Sequence, residues 1–208
     1  MNTPLDSEYW NSRYLNNEAA WDTGEITTPL KTYFDGLSDK EMYILIPGAG
    51  YGYEAEYLFN AGYKNVFVCD IALAPLEAIQ KRCPGFNSSN LLLQNFFELD
   101  LNSDVPYKKG FDLIVEQTFF CAIDPKLRPK YFPQIKNLLC NNGRLVGVMF
   151  DDVLNIDKPP FGGSKTEYQS YFKGLFKTNK FESCYNSINP RAGRELFINL
   201  EKKASSGK

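Results

Sequence analysis

The chain has 208 residues, 43% hydrophobic and 23% charged, with a formal net charge of −2. That is the ordinary make-up of a soluble globular protein of one domain, residues 1–208. It disfavours a nucleic-acid binder, which would carry a basic patch, and a membrane protein, which would carry an apolar run of bilayer length.

Residues 1–8, MNTPLDSE, lack the basic and apolar regions of a secretory signal, which points to the cytoplasm. Residues 1–27 are polar but hold Tyr9, Trp10, Tyr14 and Trp21, too aromatic for a free tail, so this segment packs over something. A short helix is expected over 28–40, with Thr28 as cap and Pro29 at its first position. Strand 1 follows at 42–47 and a helix at 54–61. Strand 2 runs over 65–70, and Leu76, Ile79 and Gln80 at helical spacing predict a helix over 72–83. Residues 91–95 and 111–116 read as strands 3 and 4. A helix from Pro125 to Leu139 opens after Asp124, a good cap, and stops near Asn141-Asn142-Gly143; residues 144–150 are strand 5. The stretch 151–164, with Pro159, Pro160, Gly162 and Gly163, is a loop over the sheet edge, and 165–177 is helical. Strands at 180–188 and 195–200 are joined by Asn189-Pro190-Arg191-Ala192-Gly193, and Lys202–Lys208 is a solvated tail. Strands alternating with helices, closed by a hairpin, give a mostly parallel α/β sheet with an antiparallel edge.

Chemistry concentrates at Ile46-Pro47-Gly48-Ala49-Gly50-Tyr51-Gly52, which follows strand 1, and at Asp70, which closes strand 2. Glycines let the backbone turn sharply and approach a ligand. Strand, glycine turn, helix, strand, acid is the pattern of a nucleotide-like cofactor site at the top of a parallel sheet. Dinucleotides and S-adenosylmethionine both use it. The dinucleotide fingerprint wants a third glycine where this chain has Tyr53, so an NAD(P)-dependent oxidoreductase is the disfavoured alternative.

There is no histidine, which excludes Ser-His-Asp and Cys-His triads and histidine-rich metal sites, so no bound metal is expected. Proton transfer would fall to Asp, Glu, Lys, Tyr, Cys or water. Cys69, Cys83, Cys121, Cys140 and Cys184 show no metal-knuckle or redox spacing and read as reduced structural thiols.

Several distant segments together resemble the thiopurine S-methyltransferase family, and within it the branch of plant and microbial thiol and halide methyltransferases. They are Trp21-Asp22-Thr23-Gly24 with Pro29, the glycine turn, Cys69-Asp70-Ile71, Asn95-Phe96-Phe97, Phe111-Asp112-Leu113-Ile114, Gln117-Thr118-Phe119-Phe120-Cys121-Ala122-Ile123 with Pro125 and Arg128, Pro159-Pro160-Phe161, and Gly193-Arg194-Glu195. The resemblance implies a Rossmann-like class I methyltransferase: a mostly parallel seven-stranded sheet with an antiparallel C-terminal strand and helices on both faces. Within it, 1–40 would cap the site, 41–150 would form the cofactor-binding core, and 151–201 would supply the substrate-side loop, helix and terminal hairpin.

The same resemblance assigns roles, with S-adenosylmethionine as the cofactor. Gly48, Gly50 and Gly52 would lie against its methionine part, where a Cβ would collide with the ligand. Asp70 would hold the ribose hydroxyls or cap the following helix, with Ile71 beside it. Asn95 stands where many relatives carry an acid facing the adenine amino group, and Phe96 either flanks that ring or is core. Trp10 and Trp21 would close over the cofactor, while Arg13 reads as an ion-pair partner. Glu116, Gln117 and Thr118 would lie beside the sulfonium. Phe119 and Phe120 would wall the transfer cavity, and Phe161, Arg191 and Arg194 would rim the acceptor pocket; Cys121 reads as packing. The expected activity is methyl transfer to a small thiol, thiopurine or halide acceptor by a monomer, with a non-catalytic cofactor-binding protein as the remaining alternative.

Overall fold

A computed structural model describes residues 4–102 and 104–203. The distal part of the expected solvated tail, 204–208, lies outside the described residues. The elements in chain order are α1 (Ser7–Leu15), α2 (Thr28–Asp35), β1 (Tyr43–Pro47), α3 (Tyr53–Asn60), β2 (Asn65–Asp70), α4 (Leu73–Arg82), β3 (Leu91–Leu93), β4 (Phe111–Gln117), α5 (Arg128–Leu138), β5 (Leu139–Phe150), α6 (Lys165–Phe172), β6 (Phe176–Ser183) and β7 (Glu195–Lys202).

One seven-stranded sheet takes the order β3-β2-β1-β4-β5-β7-β6. The inner strands are apolar runs because helices bury both faces. Alternate residues of these strands feed two cores. Leu45, Phe67, Ile114 and Leu145 pack with Tyr131, Phe132 and Ile135 of α5 and Tyr168 and Phe172 of α6. Ile44, Ile46, Val66, Val68, Leu113 and Val115 pack with Leu30 and Phe34 of α2, Leu58 of α3 and Ile79 of α4. Strand order reverses between β1 and β4, which pair in parallel through Ile44↔Leu113 and Leu45↔Ile114. The connections from these two strands leave in opposite directions, opening a crevice at their C-terminal ends.

The expected antiparallel C-terminal strand is β7, which sits between β5 and β6 and runs antiparallel to both, so that the terminal hairpin forms this edge of the sheet with β6 outermost. Four expectations are corrected. The aromatic N-terminal segment contains a helix, α1, whose cap Asp6 accepts from the Tyr9 amide at 2.9 Å. The second helix ends at Asp35 rather than at residue 40, and Thr27 rather than Thr28 is its cap. Strand 5 starts at Leu139, because Asn141-Asn142-Gly143 forms an irregularity inside the strand, Asn142 taking φ +62°, instead of a turn before it. The chain after α6 likewise enters β6 at Phe176, four residues before the expected start at 180. Among the described residues no helix is long and apolar enough to cross a membrane.

Candidate active site

The turn from β1 into α3 is left-handed at Gly48, Gly50 and Gly52, with φ of +56°, +54° and +72°. The three glycines serve different neighbours. A Cβ on Gly48 would enter the Phe119 ring, and one on Gly52 would enter the Ile79 side chain of α4. Only at Gly50 would the Cβ stand clear, 3.5 Å from the Tyr14 Oη and 3.7 Å from the Trp21 Nε1. Protein packing alone therefore requires glycine at 48 and 52. At Gly50 it does not, and Gly48 and Gly50 both line the cavity described below.

Asp70 ends β2 and is 9% exposed. Its carboxylate accepts from the Ala72 amide at 2.9 Å and from the amides of Ile71 and Gly50. It thus caps the entry to α4 and braces the glycine turn together. Burial outweighs these donors and raises its pKa to about 6.

The N-terminal segment lies across this turn. Trp10, Tyr14, Trp21 and Tyr51 meet in edge-to-face contacts, with Trp10–Trp21 and Tyr14–Trp21 centroids 5.6 Å apart and Tyr14–Tyr51 5.3 Å apart. Tyr14 is buried and its hydroxyl takes a hydrogen bond from the Trp21 indole; burial, then Asp70, push its pKa up. Four anchors fix the segment. Asn11 Oδ1 accepts from the Ala74 amide at 2.9 Å, and Thr27 Oγ1 donates to Gln117 Oε1 at 3.0 Å. Arg191 Nη2 donates to the Trp21 carbonyl at 2.9 Å, and Asp22 takes the Tyr53 hydroxyl.

A cavity opens between this strap and the sheet. It is lined by the glycine turn, Trp21, Glu54, Gln117, Thr118 and Arg191. The sequence grouped Gly48, Gly50, Trp21, Gln117 and Thr118 at the cofactor and put Arg191 at the acceptor rim; in the structure all six line this one cavity. Trp10 and Asp70 adjoin it through the aromatic cluster and the Gly50 amide. Glu54, Tyr14 and Tyr51 were missed. Glu54 looks in sequence like an ordinary first-turn acid of α3, yet it is 4% exposed, accepts from the Thr27 amide, and burial raises its pKa to about 7.

Other residues fall elsewhere. The Glu116 side chain is turned away from the crevice. It is fully buried, accepts from the Phe119 and Phe120 amides at 2.8 and 3.0 Å, and takes the Tyr131 hydroxyl. These bonds hold the tight turn after β4, in which Thr118 adopts φ +59°. Phe120 is core, 1% exposed, with the Arg128 guanidinium 4.8 Å from its ring and Tyr131, Phe132 and Tyr168 around it. Phe96 is also buried and meets Phe119 edge-to-face at 5.4 Å. Asn95 spends its side chain locally, accepting from the Phe97 amide at 3.0 Å and donating to Glu98. Phe119 is half-buried between Gly48 and Phe96. The 151–164 loop approaches through the Phe161 amide, which donates to the Cys121 carbonyl at 2.8 Å. Arg194 ties the hairpin to that loop through Asp152 at 2.7 Å, and Arg13 pairs with Glu18 at 3.2 Å. Cys121 is buried, its thiol donates to the Thr118 carbonyl, and burial pushes its pKa up to about 12.

Comparison with known proteins identifies the family. Residues 5–203 match the model of the thiopurine S-methyltransferase (TPMT) family. Probable thiol methyltransferase 2 of Arabidopsis thaliana is 27% identical over 200 residues, covering 94% of this chain and 85% of the relative. Thiocyanate methyltransferase 1 of Brassica oleracea is 25% identical, covering 93% and 84%. Among solved structures, the 1,6-didemethyltoxoflavin-N1-methyltransferase of Burkholderia thailandensis, which holds S-adenosylhomocysteine, superposes with a TM-score of 0.74 at 16% identity, covering 95% of this chain and 87% of that one. The chain belongs to the thiopurine S-methyltransferase family and is an S-adenosylmethionine-dependent methyltransferase with a class I fold.

Proposed function

We propose that the chain methylates a small sulfur nucleophile that arrives already ionised, a thiolate or thiopurine sulfur, by in-line displacement. When bound, S-adenosylmethionine supplies an electrophilic methyl group on a positively charged sulfur. The residues present suit that cofactor. Asp70 offers a buried carboxylate to vicinal hydroxyls at the end of β2, as nucleotide-type sites at such crevices require. Gly50 leaves the space between turn and strap free of a side chain. Trp10, Tyr14 and Trp21 cover that space with aromatic surface and keep water out.

One observation carries the choice of acceptor: no side chain at the end of β4 is placed to take a proton. Cys121 is a buried thiol held against the Thr118 carbonyl, far too weak an acid to ionise near neutrality. Glu116 is sealed behind Phe119, Phe120 and Tyr131. The chain has no histidine. An alcohol would need a general base, whereas a thiolate or a halide needs none. Phe119, Thr118 and the Phe161 loop would form the wall against which the nucleophile is aligned, with positioning and loss of hydration as their contribution. The thiol and thiocyanate methyltransferases among the relatives support sulfur over halide. A small-molecule acceptor rather than a nucleic acid suits a chain with a formal net charge of −2.

The test is calorimetric titration with S-adenosylhomocysteine, with NADH as control, followed by an acceptor screen across thiols of graded acidity, thiopurines, iodide and alcohols. The expected result is micromolar binding of S-adenosylhomocysteine alone, and turnover whose pH profile rises with each thiol's own pKa. A profile that keeps one enzyme pKa for every acceptor would reveal a general base and refute the mechanism.

A further inference from the structure

A second cavity, of about 420 Å³, lies between the strap and the chain that connects β6 to β7. Trp21, Ile26, Ile188 and Pro190 give it apolar surface, and Asp22 and Glu25 give it two carboxylates. It is continuous with the cavity at the glycine turn, since Trp21, Asp22, Thr23 and Arg191 line both. Where the two meet, Arg191 Nη2 donates to the Trp21 carbonyl at 2.9 Å. The charges along this groove do not balance. Arg191 is matched by Glu195, with Nη1 and Oε1 3.5 Å apart. No lysine lines the groove among the described residues. Glu25 is exposed, and its carboxylate has no ion-pair partner among the described residues. Asp22 is held by hydrogen bonds alone, from the Gly24 amide at 2.9 Å and from the Tyr53 hydroxyl. Those bonds fix the loop that carries both acids, together with Thr23 Oγ1, which donates to the Glu25 carbonyl at 2.7 Å.

We propose that this groove receives the non-reacting body of the acceptor, and that Asp22 and Glu25 make its rim selective for thiols whose body carries a positive charge over thiols whose body is anionic. This rests on the sulfur-acceptor reading and names the class of thiol. Three observations support it. The groove adjoins the cofactor cavity, so a molecule lying in it reaches the glycine-turn side without crossing the sheet. Its apolar surface suits a carbon chain, and its rim is acidic with the one guanidinium already neutralised. The charge of the reactants points the same way. A simple thiolate brings a full negative charge past two carboxylates, which repel it. An aminothiol whose sulfur is ionised is a zwitterion of no net charge, so it passes the rim without that penalty and gains an ammonium–carboxylate contact there. The groove also gives the ammonium a place apart from the sulfonium of the cofactor, which would otherwise repel it. A field of this kind acts on charge and not on shape, so it selects among thiols of equal size.

The experiment measures kcat/KM for cysteamine, 2-mercaptoethanol and 3-mercaptopropionate, whose bodies are cationic, neutral and anionic. Each rate is expressed per thiolate present, so that differences in thiol acidity cancel. The wild type is compared with Glu25→Gln and Glu25→Lys; the side chain is exposed and unpaired, and thermal melting checks that both variants fold. The wild type is expected to prefer cysteamine to 3-mercaptopropionate by about threefold to tenfold, the worth of one or two exposed charge contacts. Glu25→Gln should shrink that ratio and Glu25→Lys should shrink it further or reverse it. Raising the salt to about 0.5 M should compress the wild-type ratio towards one, as screening requires and a steric preference would not. Thiols methylated with no dependence on body charge overturn the selectivity while leaving the sulfur-acceptor reading in place. A charge preference that Glu25→Lys leaves unchanged overturns the groove as its source. A wild type that binds S-adenosylhomocysteine and methylates none of the three thiols overturns both this proposal and the sulfur-acceptor reading.

Discussion

Gly50→Ala and Gly52→Ala should fail in opposite ways, although they lie two residues apart in one motif. Both positions take left-handed φ, +54° and +72°. An alanine in that region costs roughly 1–2 kcal/mol. At Gly50 the new methyl meets nothing closer than the Tyr14 Oη at 3.5 Å, so the strain is the whole stability cost. At Gly52 the methyl lands in the Ile79 side chain, whose residue is fully buried against α3 and β2. Overpacking of that kind adds about 1–3 kcal/mol, for a total of roughly 2–5 kcal/mol. In a chain of this size each kcal/mol lowers Tm by about 2–4 °C. Urea and thermal denaturation should therefore rank Gly52→Ala as the less stable variant. Calorimetry should show that Gly50→Ala, though better folded, is the one that loses S-adenosylhomocysteine, because its methyl occupies space the ligand needs. Ile79→Val in the Gly52→Ala background removes the nearest atom and should return part of the lost stability. Two variants of equal stability, or a Gly50→Ala protein with wild-type affinity, would refute this division of the motif.

Two further outcomes follow from the buried carboxylates. Asp70→Asn keeps the shape at the end of β2 but removes the charge and half the acceptor capacity, so S-adenosylhomocysteine affinity should fall about tenfold to a hundredfold in titration; unchanged affinity removes Asp70 from the site. Glu116 has a folded pKa raised by burial from 4.5 to about 7, so the folded state holds a proton that the unfolded state has released between those values. Its contribution to stability is therefore full below about pH 4.5 and is lost as pH rises towards 7, by on the order of 3 kcal/mol. Glu116→Gln cannot ionise and can keep the bonds to Phe119, Phe120 and Tyr131. Urea titrations from pH 5 to pH 8 should show its stability gaining on the wild type as pH rises, and parallel curves would show that Glu116 does not titrate in this range.

The sheet was legible because its inner strands are buried on both faces. Ile44–Pro47, Val66–Cys69 and Leu113–Val115 are apolar without interruption, and the acid closing β2 stands out against them. The glycine turn was legible as a turn, but not which neighbour each glycine admits, since Ile79 and Phe119 come from other elements. α1 was hidden because Tyr14 is its one buried residue, leaving no apolar stripe. The Asp6 cap was the available signal. Asn141-Asn142-Gly143 has the composition of a turn, and only its place inside the ladder against Phe111 and Leu113 makes it a strand irregularity. Glu116 misled for a related reason. A carboxylate at a strand end suits a ligand equally well as a strut, and its tyrosine partner sits on a helix that pattern alone does not bring near.

The distribution of charge around the crevice accounts for how a cation and an anion can be brought into line by one small site. Asp70 at the end of β2 and Glu54 in the first turn of α3 lie at the cavity proposed for the positively charged cofactor; burial raises their pKa values to about 6 and about 7, and a bound cation would favour their ionised forms. The proposed acceptor wall, Phe119 and Phe161 with Cys121 behind them, offers aromatic surface and an un-ionised thiol. Glu116 lies beneath that wall, and burial raises its pKa to about 7, so part of it is protonated near neutrality. An entering thiolate would give up hydration, and the Arg128 and Arg191 guanidiniums, which act on the neighbouring Cys121 thiol, would offset part of that cost. That cost is recovered as sulfur approaches the methyl group and the two charges cancel, so the loss falls on the ground state and not on the transition state. After transfer the sulfonium charge is gone, and the carboxylates that favoured the donor no longer favour the product to the same degree. On the proposed reading such a site needs no general base.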